Sequence, residues 1–206
     1  MTTNPSIDRL IANCRMKIPG ALDGPMIMSI FNTVAKFCIQ SNVLQEEQDF
    51  KTRADKRDYV MECSQPDLYY TKLLSVVRND EETDQKLLSN PVPVRAFMVD
   101  QETLRLYDTP QSTIRLTAKF AMAPRPTDNF DNMPNIPNWM WDTYHDTFIE
   151  GVLHDMMGQA AKPYTNERLS LFHGRRFQAA MSTAKVEAYN GQTRGGQNWS
   201  YPRLGW

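Results

Sequence analysis

The sequence predicts an α+β protein: a helical-bundle core, an inserted small antiparallel β-domain and an extended C-terminal arm. Three observations carry this reading. Apolar residues recur at helical spacing in two separated regions, 26–38 and 139–188. Between them, residues 92–121 hold runs at strand spacing with turn signals between them. After Gly191 neither period persists.

The bulk numbers are those of a folded chain. With 206 residues it is long enough for one domain with a sizeable core. Its 41% hydrophobic and 23% charged content excludes a disordered polymer. A net charge of -1 argues against a surface built to grip phosphate everywhere. The three cysteines, Cys14, Cys38 and Cys63, fit neither a disulfide framework nor a zinc pattern. A reducing cytoplasm is expected, with Cys38 as a buried thiol. The N-terminus lacks the basic flank and apolar run of a signal peptide, and no run approaches the ~18 apolar residues needed to span a bilayer. The expectation is a soluble protein made inside a cell, with no membrane partner.

Residues 1–44 read as the N-terminal helices of the bundle. Ser6 to Met16 forms a short helix with Ser6 as cap and Ile7, Leu10, Ile11 and Cys14 on one face. Pro19-Gly20 breaks it, and Pro25 then stands at the first position of a second helix, where its missing N–H costs nothing. Met26, Ile27, Ile30, Phe31, Val34, Phe37 and Cys38 make the apolar face of that helix.

Residues 45–137 read as the β-rich insertion. Glu46 to Lys51 is a polar stretch, Arg57 to Cys63 suits a short strand, and Pro66 to Val77 fits either a strand or a helical turn. Residues 78–84 form a solvated acidic loop. Val94 to Val99 and Thr103 to Tyr107 pair as a hairpin, and Thr113 to Ala121 alternates cleanly as the third strand of a meander. Pro124-Arg125-Pro126 ends it.

Residues 138–190 complete the bundle as two long helices joined by a short turn at Lys162-Pro163-Tyr164. Gly151, a residue that weakens a helix by ~1 kcal/mol relative to Ala, suggests close approach of another helix. Thr165 or Asn166 caps the second helix and Gly191 ends it. Residues 191–206 form the arm. It has no acidic side chain and carries Arg194, Arg203, Trp199, Tyr201 and Trp206. Such a tail either folds back on its own domain or orders on a partner, with aromatics and arginines as anchors.

Catalytic and metal signatures are missing from the sequence pattern. His145 and His154 lie nine positions apart, and no HExxH, Walker A or G-x-S-x-G run occurs. Asp142 and Asp146 read as an i, i+4 pair that favours a helix N-terminus. Arg175-Arg176 reads as a solvated or intersubunit ion-pair site. No catalytic residue, cofactor or metal is expected.

The order of these features resembles a known family. An opening helix with Phe37-Cys38 near its end is followed by a β-rich insertion closing on Pro124-Arg125-Pro126. Then come Trp141…Phe148-Ile149-Glu150-Gly151-Val152-Leu153, the Lys162-Pro163-Tyr164 junction and a final helix with Phe177. This is similar to the head-to-tail adaptor (neck, connector) proteins of bacteriophages, the tail tubular protein A-like group. The likeness covers roughly residues 20 to 190, by pattern rather than by a chemical signature; Ala35-Lys36-Phe37-Cys38 and Glu150-Gly151-Val152-Leu153 are its nearest points. It implies a virion structural protein, made in the host cytoplasm and assembled as a homo-oligomeric ring of about twelve copies. The ring would join the portal protein to a downstream tail or nozzle protein. DNA would pass through its lumen during genome ejection without specific binding. Arg194, Trp199, Tyr201, Arg203 and Trp206 would form the portal-docking arm; Gly151, Arg175 and Arg176 would make intersubunit contacts. Two readings compete: a small enzyme using His145 or Asp142 between the helical hairpin and the β-region, and a nucleic-acid-binding module using Arg175, Arg176 and Arg194.

Overall fold

The first helix, α1 (Pro5–Lys17), starts one residue before the cap expected from sequence, so Ser6 lies inside it. Residues 5–78, 92–125 and 136–190 are described by the computed structural model. Ile7, Leu10 and Cys14 are buried on one face of α1, as their spacing predicts. Helix α2 (Asp23–Ser41) begins two residues before Pro25, which sits inside the first turn rather than at its first position. Asn42 closes α2 in the left-handed conformation, a geometry that Asn tolerates, and its N–H bonds Cys38 O.

The β-region departs from the expected meander. Seven strands form two antiparallel sheets among the described residues: β1 (Gln45–Lys51), β2 (Asp58–Val60), β3 (Leu68–Arg78), β4 (Val92–Pro93), β5 (Ala96–Met98), β6 (Thr103–Leu106) and β7 (Arg115–Pro124). The larger sheet runs β1-β7-β3-β4 and the smaller β2-β6-β5. The predicted hairpin is β5-β6, but its neighbour is β2, while β7 lies between β1 and β3. Strand β1 is the stretch read as merely polar. Its outer face carries Glu47 and Asp49, which pair across the sheet with Lys119 (3.1 Å) and Arg115 (2.9 Å). Its inner face carries Phe50, whose ring lies 5.0 Å from that of Tyr59. Cross-strand pairs of this kind support a strand whose own residues have little β propensity. The ambiguous stretch 66–77 resolves as β3, with Tyr70 stacked 4.3 Å from Phe120 of β7.

The helical hairpin is broken once more than expected. Its first arm is split at Tyr144 into α3 (Asn138–Thr143) and α4 (His145–Met157). Tyr144 leaves helical geometry and packs its ring 4.7 Å from Phe37. Asp142 and Asp146 are therefore on separate helices and do not form the predicted i, i+4 pair. The second arm is α5 (Glu167–Tyr189), capped by Asn166, whose side chain accepts from Leu169 N at 3.0 Å.

The fold is α+β. Helices α2, α4 and α5 pack around Phe37, Phe148 and Phe177, and α2 also lies against β7, so bundle and sheet share one hydrophobic core. Burial pushes the thiols of Cys14 and Cys38 up to about 12, which suits packing groups rather than nucleophiles. No helix among the described residues is long and apolar enough to cross a membrane. The acidic residues 79–84, most of the loop before the hairpin and the whole arm lie outside the described residues.

Gly151 sits where α4 meets both α2 and α5. A Cβ there would stand inside contact distance of Thr33 Cγ2 and 3.0 Å from Phe177 Cε2. Gly151→Ala is expected to lower stability by about 1–3 kcal/mol, the usual cost of overpacking. The check is the denaturant midpoint at unchanged slope. Parent-like stability would show that this approach is slack.

Candidate functional site

Helix α5 is the element on which the candidate residues converge. It runs 23 residues and buries only a narrow stripe: Ser170, His173, Phe177, Met181 and Ala184. These recur at three- and four-residue steps, the seam geometry of a coiled coil. The rest of the helix faces outward. On that side Phe172, Ala179 and Val186 recur every seventh residue, flanked by Arg175, Ser182 and Tyr189 at the same interval; all six are exposed. Val186 is 59% exposed and Tyr189 91%. The helix thus has one stripe covered by its own subunit and an outward face on which Phe172, Ala179 and Val186 alternate with Arg175, Ser182 and Tyr189.

Between α4 and α5 lies a polar knot. Glu150 Oε2 is 2.5 Å from His173 Nδ1, with both side chains about nine-tenths buried. Glu150 Oε1 accepts from Arg176 Nη1 at 3.1 Å, and the Arg176 guanidinium lies 5.6 Å from the Phe172 ring centre. The carboxylate is therefore bonded on both oxygens, and its outward partner reaches the exposed face. One turn away, Ser170 Oγ donates to His154 O at 2.7 Å, and His154 Nδ1 lies 3.0 Å from Ser170 O.

The predicted site residues fall out differently from one another. Gly151, expected at an intersubunit contact, is instead buried inside the chain's own bundle, because its missing Cβ makes room for Thr33 and Phe177. Arg176 has a carboxylate partner within the chain, Glu150, and like Arg175 it is exposed on the outer face of α5. The sequence reading missed the partnership of Glu150 with His173. Its signal was a lone charge in the apolar run 148–153. Arg194, Trp199, Tyr201, Arg203 and Trp206 lie outside the described residues.

Asp142 and His145 do come together, in a polar pocket of about 270 Å³ with Asp146, Arg9 and Ser6. The pocket is walled by α1, α3 and α4, and no strand residue lines it, so it is not the helix–sheet site expected of the enzyme reading. His145 Nε2 accepts from Asn13 Nδ2 at 2.9 Å. Trp141 forms one wall, and its buried indole N–H has no acceptor among the described residues. No three His, Cys, Asp or Glu side chains converge as metal ligands among the described residues. Compared with protein-family models and with curated proteins, the chain matches none.

Proposed function

We propose that the protein is a ring-forming structural subunit, a head-to-tail adaptor that joins a phage portal to the tail and continues the DNA channel. The observation that supports this reading best is the outer face of α5, where Phe172, Val186 and Tyr189 are large side chains left exposed by their own subunit. A neighbouring subunit would lie against Phe172, Ala179 and Val186, with small residues between the apolar ends letting two backbones approach. The resemblance of the chain's overall order to adaptor proteins supports the same class. The arm, with Trp199, Tyr201 and Trp206 as anchors, would reach the portal, and the β-region would meet the next tail component. A net charge of -1 suits a lumen through which DNA slides without being held. The subunit would do no chemistry.

Electron microscopy of the purified chain mixed with portal tests the class. A ring stacked on the portal is the expected result, and its absence at saturating protein would sink the reading. In the same assay Phe172→Asp with Val186→Asp should block ring closure in a folded subunit. Deleting residues 191–206 should abolish portal binding while leaving the domain folded; portal affinity like that of the full chain would remove the docking arm from the proposal.

A further inference from the structure

We infer that the hollow where the helical bundle meets the larger sheet is a docking site for the chain's own residues 191–206, with Trp199 and Tyr201 as anchors. The hollow measures about 520 Å³, within the range of ligand-sized clefts. Its walls include Leu44, Met122, Pro137, Trp139 and Ala188, with the paired Glu47 and Lys119 at the polar rim. Trp139 is 40% exposed. A large ring left half open in a concave apolar wall marks a surface made to be covered. The hollow also follows the start of β1, an edge strand of its sheet among the described residues.

What covers it is argued from where the chain goes. Ala188 is part of the wall, α5 ends at Tyr189, and Asn190 caps it. The chain therefore leaves the helix at the hollow itself. Trp199 follows the cap by nine residues, a reach of at most ~30 Å, so the hollow is within easy range. Gly195-Gly196 can adopt the backbone angles that a reversal requires. A short tether holds the segment at an effective concentration in the mM range, enough to fill a site too weak for a free peptide. The chemistry that agrees is apolar: the segment offers three aromatic side chains against walls of Leu44, Met122, Pro137 and Trp139, while the rim carboxylate of Glu47 is already paired with Lys119.

The docking stands independently of the portal. Its consequence rests on the proposed function: an arm held on its own subunit is shielded before assembly and is released when a portal offers more buried area.

The test uses full-length protein: the parent, Trp199→Ala with Tyr201→Ala, and Ala188→Arg, which places a long charged side chain in the hollow. Trypsin cleavage after Arg194 is followed by mass spectrometry at low and high protein concentration, with thermal midpoints measured alongside. Both variants are expected to be cleaved about tenfold faster than the parent while keeping its midpoint, with parental protection independent of concentration. Equal cleavage in parent and tail variant overturns the docking, even if Ala188→Arg perturbs the fold. Protection that grows with concentration gives the hollow to a second copy's arm and overturns the intramolecular site. Portal binding is scored separately, so a chain that shields its arm but forms no ring on portal refutes the adaptor reading alone.

Discussion

Truncating Phe37 to alanine should cost about 3–5 kcal/mol, the range for removing a fully buried aromatic ring. Phe37 has no exposed surface. Its ring centre lies 4.7 Å from Tyr144, 5.3 Å from Phe148 in an edge-on arrangement, and 6.5 Å from Phe177. One side chain of α2 therefore touches the α3–α4 break, α4 and α5 together. The cavity left by truncation would be walled by three rings on different elements, none of which can close it by rotating alone. For a chain of this size each kcal/mol moves the thermal midpoint by about 2–4 °C, so a drop of about 10 °C is the expected reading. Phe37→Leu retains most of the volume and should cost less than about half as much. A loss under about 1 kcal/mol for the alanine variant would mean that the bundle does not depend on this contact.

Phe37 also shows how far the sequence carried. Its helix was legible because helical periodicity in α2 is a local property, fixed by residues one turn apart. In α5 the apolar spacing marked Phe177, Met181 and Ala184 of the buried stripe, but Leu169 and Phe172 of that spacing are exposed and the polar Ser170 and His173 are buried in their place. Sheet pairing was not legible. Strand β7 alternates clearly, yet nothing within it says that its neighbours are β1 and β3 rather than the hairpin that precedes it in the chain. Strand β1 was hidden because its apolar content is one phenylalanine, and its support comes from charges on β7. The break at Tyr144 was hidden too: residues 139–157 keep a helical pattern, and the contact of Tyr144 with Phe37 at the break is a tertiary one that spacing does not reveal. At the candidate site, Arg175 and Arg176 were visible as a basic pair, but the partner of Arg176 lies on another helix and could not be assigned by spacing.

The other large effect is expected at the polar knot. His173→Ala should destabilise the protein by about 3 kcal/mol, because it strips a carboxylate inside the bundle of its buried partner and leaves only the half-exposed Arg176. Glu150→Ala leaves a smaller problem, a buried imidazole nitrogen without an acceptor, and should cost about 1–3 kcal/mol. Replacing both residues by leucine removes the need for either partner, so the double variant should be more stable than His173→Ala alone. Denaturant midpoints rank these variants, and a double-mutant cycle of His173→Ala, Glu150→Ala and their combination measures the coupling; additive losses in that cycle would show that the two groups act independently. Under the proposed ring assembly, the outcome bears on more than stability. Glu150 holds Arg176 against Phe172 on the outer face of α5, so in the double leucine variant the guanidinium loses its anchor. A stable subunit that no longer closes into rings would place the reason for a buried charge in this bundle on its surface, at the contact with the next subunit. Normal rings from that variant would leave the knot with a folding role alone.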